Sequence, residues 1–435
     1  MTQHVAIVGT GPAGFYCAEA ICKKAPEVRI DLIDRLPTPF GLVRSGVAPD
    51  HQGTKNVWRV FHRTAHREQV RFLGNVEVGR DVSVAELLEL YDAVVLAVGA
   101  TVDRKLGIEG EDLLGVYGSG AFTSWYNGHP DFAGLSPELK GPGIAVIGNG
   151  NVAVDVVRVL SRSRPEMVKT DIPDYAMEAI EASDYTDVYM LGRRGPMDAS
   201  FTTAELRELG DMTETVAVVD PAQLPDEVVA DDPKQQKLKE KILKTLRGYS
   251  ENDPASKSKR LHLKFFSAPV RILGESRVEG LEVAVTEVRD GRAVQTGETY
   301  TLDVGTVITA IGYTAIPLEG VDIADWGTCY ANEDGKIEDR LWAVGWAKRG
   351  PSGVIATNRK DSGEVAHMLL DQLEDGGRKG GEGLDHLLAE RGADPVLYED
   401  WERIDEHETS SAPEGSPRRK LTTMDDLIGA ARSKG

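Results

Sequence analysis

His4-Val5-Ala6-Ile7-Val8-Gly9-Thr10-Gly11-Pro12-Ala13-Gly14 is an apolar run that stops at a glycine-rich turn. Its pattern predicts a strand over 4–8, a tight loop, and a helix over 13–24 that opens directly from the loop. A second strand is expected over 28–33 and a further one over 93–98, which makes the first hundred residues a doubly wound α/β opening. Each glycine has its own task. Gly9 permits the turn, Gly11 lets a pyrophosphate approach the backbone, and Gly14 lets the helix pack against the strand. The helix N-terminus adds unpaired N–H groups and a positive dipole end. Glycine spacing alone is a weak signal. Asp34 strengthens it, because it ends the second strand, where a carboxylate can accept a hydrogen bond from a ribose 2′-hydroxyl. Phe15 and Tyr16 stand where a triphosphate-binding loop would carry Lys and then Ser or Thr, so nucleoside-triphosphatase chemistry is disfavoured.

The pattern restarts after Gly141-Pro142-Gly143, with a strand over 144–147, the loop Gly148-Asn149-Gly150-Asn151-Val152-Ala153, a helix over 151–160 and a strand over 188–191. Alanine is the permitted third small residue. The following strand ends in Gly192-Arg193-Arg194 where a site for NAD would show an acid. Two guanidinium groups at that place suit a 2′-phosphate, and the second loop therefore reads as an NADP site. One chain with an acid-ended and an arginine-ended site most economically holds FAD and NADP, which exchange a hydride. Three further strings, Ala97-Val98-Gly99-Ala100, Ala310-Ile311-Gly312-Tyr313 and Ala343-Val344-Gly345-Trp346, each close an apolar strand with glycine. They are either close backbone approaches or ordinary turns.

A chain of 435 residues has room for two domains, and 41% hydrophobic with 28% charged residues places it among globular proteins. Its net charge of -20 argues against nonspecific binding to nucleic acid or to an anionic membrane. No apolar run approaches the roughly 20 residues that span a bilayer, and the chain enters a strand pattern by Val5, so the expected address is cytoplasmic. Cys17, Cys22 and Cys329 are odd in number and form no C-x-x-C, which suggests buried small hydrophobes and no zinc or iron-sulfur site. Residues 372–386 and 406–419 read as surface loops from their composition, and Thr423 as the N-cap of a last helix through Leu427 and Ile428. Against the acidic whole, residues 234–264 carry ten basic and three acidic side chains.

The string Leu36-Pro37-Thr38-Pro39-Phe40-Gly41-Leu42-Val43-Arg44-Ser45-Gly46-Val47-Ala48-Pro49-Asp50-His51 resembles the segment after the first βαβ unit in the adrenodoxin-reductase-like ferredoxin–NADP reductases. The run from Arg193 through Phe201-Thr202-Thr203-Ala204-Glu205-Leu206 resembles the same family, as does Val344-Gly345-Trp346-Ala347-Lys348-Arg349-Gly350-Pro351-Ser352-Gly353-Val354-Ile355. The resemblance implies an α/β protein of two Rossmann-like, glutathione-reductase-like domains. An FAD domain from residues 1–103 and 338–435 would be interrupted by an NADP domain from 104–337. By the same resemblance, positions matching Ala13, Asp34, Leu42, Val78, Trp346, Gly353, Val354 and Ile355 hold FAD, the last three opening a helix aimed at the flavin. Those matching Arg104, Asn149, Gly150, Asn151, Val152, Arg193, Arg194, Glu205 and Gly353 hold NADP. It places His51, Asp155 and Glu205 near the reacting rings as catalytic candidates, and it requires no metal. One position departs from the family, which usually has Glu where this chain has Asp34. The implied partner is a separate ferredoxin-type iron-sulfur protein, with a monooxygenase as one possible downstream acceptor. Family members dock that acidic partner on basic residues of the NADP domain, here 234–264, with Arg44, Arg59 and Arg63 as the alternative face.

Three other readings compete. A disulfide reductase would need a cysteine pair beside the flavin, and the only near pair, Cys17 and Cys22, is five apart on a helix. An electron-input subunit like the small subunit of glutamate synthase would co-purify with a large partner. A noncatalytic NADP-binding sensor would be colourless. Oligomeric state has no signal in this sequence.

Overall fold

Alternation along the strand His4–Val8 sends Val5 and Ile7 into one core and Ala6 and Val8 into another. A strand apolar on both faces must be covered on both, and it therefore sits inside a parallel sheet between helical layers. The structure, a computed structural model, describes residues 2–374 and 376–433. The chain divides into two units. One contains the stretch up to Val47, His51–Val102 and the stretch from Gly312 onward, and the other contains Ala48–Asp50 and Asp103–Ile311.

The first unit is built on a six-stranded sheet in the order Lys336–Glu338, Leu341–Ala343, Ala93–Leu96, His4–Val8, Arg29–Ile33 and Val70–Leu73. All neighbours pair in parallel except the outermost, Lys336–Glu338 with Leu341–Ala343, which is antiparallel. The helix Pro12–Lys24 packs along the helix Ile355–Gln372. Tyr16 faces Arg359 and, further along, Lys24 Nζ lies 2.9 Å from Asp371 Oδ1. The numbering climbs together on both helices, which therefore run parallel and present their N-termini at the same end.

The second unit repeats the plan. Its six strands, Val116–Gly118, Thr306–Thr309, Gly143–Ile147, Asp187–Leu191, Lys259–Lys264 and Thr215–Val219, lie in that order and all pair in parallel. Ile144 and Val146 enter one core while Ala145 and Ile147 enter the other. An antiparallel sheet of Ser267–Leu273, Gly280–Arg289 and Arg292–Leu302 completes the unit. The chain leaves this unit at Ile311, whereas the sequence reading places the exit at 337, and Ala315, Val321 and Tyr330 join the core of the first unit. No helix among the described residues is long and apolar enough to cross a membrane.

Two expected loops, 372–386 and 406–419, are helical in part. Residues 381–390 form the helix Gly381–Glu390, because Leu384 and Leu388, one turn apart, are buried under its glycine-rich and charged composition. The segment 406–419 begins inside the helix Tyr398–Ser410. Its buried stripe runs Trp401, Ile404, Glu408, with a carboxylate in a place where helical spacing calls for an apolar residue. Glu408 is 0% exposed and meets Arg44 at 2.5 Å and Arg418 at 3.2 Å, and it accepts the Leu421 N–H at 2.8 Å. Arg44 is accordingly committed to the core and is not an alternative docking residue, while Arg59 and Arg63 remain exposed. Thr423 does cap the helix Met424–Ala431, accepting the Asp426 N–H.

Burial pushes the Glu408 carboxyl up, and Arg44, Arg418 and the Leu421 N–H more than offset this, so its pKa lies below the ordinary value. A carboxyl depressed in the folded state adds stability above its unfolded pKa of about 4.3 and loses it as pH falls through the folded value. Glu408→Gln should therefore cost about 3 kcal/mol at neutral pH, since two guanidiniums lose their partner. In denaturant titrations the deficit should shrink steadily below about pH 4. A deficit independent of pH would show that the charge of Glu408 does not matter.

Candidate functional site

The strand His4–Val8 ends at Gly9, whose φ of +102° is open to glycine and whose N–H bonds the Ile33 carbonyl at 2.7 Å. A Cβ at Gly9 would lie 2.5 Å from the Ala97 carbonyl oxygen, and one at Gly14 would strike the carbonyl of Gly9. Gly11 differs from both. Its φ of -74° suits any residue, and a Cβ there would meet nothing nearer than the Gly41 Cα at 4.0 Å. The fold requires glycine at 9 and 14; at 11 the missing side chain leaves room beside bare backbone, as a bound pyrophosphate needs. Gly11 N-caps Pro12–Lys24 with no side chain over the helix end. Ala13 touches this cradle from the other side, for a Cβ on Gly345 would be 2.5 Å from that of Ala13.

Asp34 has a task the sequence did not disclose. Its Oδ2 accepts the Thr10 N–H at 2.9 Å and the Thr10 hydroxyl at 2.5 Å, and its Oδ1 accepts the Leu36 N–H at 3.1 Å. The carboxylate thereby clamps the glycine loop to the end of the second strand. Threonine in the loop was the available clue. Leu42 opens the short helix Leu42–Ser45, and Val78 is half-buried. Trp346 stacks on Tyr313 at 6.0 Å and donates from Nε1 to the Ser352 carbonyl at 3.1 Å. Gly353 and Val354 are exposed, and Ile355 is the first residue of Ile355–Gln372, the expected helix. Parallel packing places the start of this helix at the same end as the start of Pro12–Lys24, so two positive dipole ends serve one region.

The second unit reproduces the first loop. Gly148 has φ of +140°, and its N–H bonds the Leu191 carbonyl at 2.9 Å. A Cβ on Gly150 would meet nothing nearer than Ser200 Cβ at 3.9 Å. The Asn149 carbonyl accepts from Ser200 and Phe201, and Asn151 Oδ1 accepts the Thr202 N–H at 2.9 Å, so the loop carries the segment that leads to Glu205. Val152 lies in the first turn of Asn151–Ser161. Arg193 is exposed and Arg194 half-buried, directly after the strand Asp187–Leu191. Neither guanidinium makes a hydrogen bond or ion pair with the described residues, which leaves both available to an anion. Arg104 is likewise exposed.

Asp155 and Glu205 come together on Arg158. This arginine is 0% exposed and bonds Asp50 at 2.7 Å, Asp155 at 2.7 Å, Glu205 at 3.2 Å and Glu208 at 3.3 Å. Arg162 adds a second cation to Asp50 at 2.9 Å. Burial works against the Arg158 charge, and the carboxylates around it overcome that and keep it protonated. One buried cation thus sets the positions of two of the three catalytic candidates. The third, His51, belongs to the first unit, where it N-caps the helix Gln52–Lys55.

All three cysteines are buried and free. Burial pushes the Cys17 thiol up to about 12 and the Cys22 thiol up to about 11, which disfavours the reactive thiolate form of both.

Replacing Arg158 by Met should cost about 3 to 5 kcal/mol, because Asp155, Glu205 and Glu208 are left crowded without their cation. Arg158→Lys, which keeps the charge and loses the fork, should fall between. Equal unfolding midpoints for the three proteins would refute the dependence.

The model of the pyridine nucleotide-disulphide oxidoreductase family matches residues 3–182. The NADPH-ferredoxin reductase FprA of Mycobacterium leprae is 40% identical over 447 residues, spanning 98% of each chain. The human mitochondrial NADPH:adrenodoxin oxidoreductase is 39% identical over 450 residues, spanning 98% of this chain and 91% of the human one. The structure of Mycobacterium tuberculosis FprA in complex with NADPH superposes over 100% of both chains with a TM-score of 0.94 at 38% identity. Likeness of this extent makes the chain a member of the adrenodoxin-reductase-like ferredoxin–NADP reductase family.

Proposed function

We propose that the first unit holds FAD through Gly9, Gly11, Ala13, Gly14, Asp34, Leu42, Val78, Trp346, Gly353, Val354 and Ile355. The residues we assign to NADP are Arg104, Gly148, Asn149, Gly150, Asn151, Val152, Arg193, Arg194, Glu205 and Gly353. The protein is an NADPH-dependent flavin oxidoreductase, a ferredoxin–NADP reductase that passes electrons to a separate ferredoxin-type iron-sulfur protein. When bound, FAD supplies the conversion between a two-electron hydride and single electrons. The observation that carries the assignment of the two sites is the unlike pair of strand ends, a carboxylate at Asp34 and two unpartnered guanidiniums at Arg193 and Arg194.

In this reading the chain's own residues mainly bind and orient. Bare backbone at Gly11 and Gly150 receives the pyrophosphates, and the helix beginning at Ile355 turns its positive end toward the charge that develops on reduction. Asp34 reaches the ribose with the lone pairs it does not spend on Thr10 and Leu36. The catalytic candidates are Asp155 and Glu205, steadied by Arg158, and His51. Three reduced, buried cysteines suit a cytoplasmic protein. A monooxygenase, which draws electrons singly, fits as the acceptor beyond the ferredoxin.

The docking face we assign is the helix Pro233–Ser250, where Lys234, Lys237, Lys241 and Lys244 are exposed. Four other basic residues of the segment are otherwise engaged. Arg247 donates to the Pro225 and Asp226 carbonyls at 3.2 and 2.6 Å, Lys257 to Met212, and Arg260 pairs with Asp187, while Lys259 lies over the Tyr185 ring at 4.3 Å.

Replacing Arg193 and Arg194 together by Gln should remove about 3 kcal/mol of preference for NADPH, roughly a hundredfold in the ratio of kcat/KM for NADPH to that for NADH. An unchanged ratio would refute the assignment. Charge reversal at Lys237, Lys241 and Lys244 should slow reduction of an acidic ferredoxin at least about tenfold at low salt and leave ferricyanide reduction intact. The gap should narrow as salt rises, since screening acts over about 10 Å at 0.1 M. Wild-type ferredoxin rates in the triple variant at low salt would move the docking face elsewhere.

A further inference from the structure

The helix Trp58–Ala65 carries His62 one turn from its end, and His66 caps it four residues later, so both imidazoles stand on one face. Their rings meet edge to face with centroids 4.5 Å apart. Across from them runs the helix Tyr398–Ser410, of the same unit but 336 residues away in sequence. Glu402 Oε1 lies 2.9 Å from His66 Nε2, and the Tyr398 hydroxyl lies 3.0 Å from His62 Nδ1. One ligating atom from each of His62, His66 and Glu402 falls within 4.8 Å of the other two.

We propose that His62, His66 and Glu402 form a binding site for a divalent transition-metal ion, zinc above all, apart from the redox site. Two imidazoles and a carboxylate are borderline donors that suit Zn2+ in tetrahedral form with water as fourth ligand, and Ni2+ or Cu2+ as competitors. Bonds of about 2.0 to 2.2 Å require the donors to stand roughly 3.3 Å apart. The His66–Glu402 edge is already that short, and both side chains, 49% and 39% exposed, are able to turn inward for the third. The Tyr398 hydroxyl, buried at 6% exposure, fixes the His62 ring in the manner of an outer partner of a ligating histidine. The ion ties the helix near the first glycine loop to the C-terminal segment whose Glu408 anchors Arg44, and it stabilises the first unit without entering the electron path.

Isothermal titration of EDTA-treated, FAD-loaded enzyme with zinc chloride should show one saturable equivalent. His66→Ala and Glu402→Gln should each weaken it by about tenfold or more. His386→Gln, which removes a histidine paired with Glu390 alone at 3.6 Å, should leave it unchanged. Zinc should raise the unfolding temperature of the wild type by several degrees and that of the His66 and Glu402 variants little. Cobalt should give d–d absorption beyond the flavin bands in the wild type alone. Absence of saturable binding, or equal affinity in the His66 and Glu402 variants, would overturn the site and leave the reductase reading untouched.

Discussion

Backbone must pass against backbone at the end of each central strand, and the rest of the molecule is arranged around that contact. Gly9 bonds the Ile33 carbonyl and abuts that of Ala97; Gly148 bonds the Leu191 carbonyl and abuts that of Ala310. A side chain at either glycine would push the loop off the sheet, and the helix behind it would lose its seat. The repeated strings at Ala97, Ala310 and Ala343 acquire their meaning here. The first two provide the carbonyls that the loop glycines touch, and the third brings Gly345 against Ala13. Of the strand-closing glycines themselves, Gly345 makes a close approach, whereas a Cβ at Gly99 would meet nothing within 4 Å.

Once the loops are held, their neighbours decide what they bind. The first loop is braced by Asp34, whose carboxylate closes on Thr10, and it faces two parallel helix ends. Asp34 is placed to grip its own loop, through Thr10 and Leu36. The second loop is followed by two guanidiniums with no partner among the described residues, whose planar forks suit a phosphate. The same framework thus yields opposite electrostatics from one strand end to the other.

Buried charge is the second organising device. Arg158 gathers four carboxylates inside the second unit, and Glu408 gathers two arginines inside the first. Such groups fix geometry more than they add stability, because desolvation consumes much of their attraction. Arg158 holds Asp155 and Glu205 in place. Glu408 folds residues 418–421 back over the helix Tyr398–Ser410 and, through Arg44, joins the C-terminal segment to the family string that follows the first strand pair.

What the sequence determined by itself was local. Strand alternation, helical spacing and the steric rules for glycine act over a few residues, and they were enough for both loops, the helix at Ile355, the cap at Thr423 and the contrast between Asp34 and Arg193-Arg194. Composition misled where a helical phase was hidden beneath glycine and charge, at 381–386 and 406–410. The folded chain alone decided which charges meet. Asp50 reaches Arg158 across 108 positions, Glu408 reaches Arg44 across 364, and Glu402 reaches His66 across 336. Ion pairs and ligand sets of that separation have no period and no preferred spacing along a chain. They are consequences of which helix faces pack together, and that is settled only when the apolar surfaces beneath them are buried.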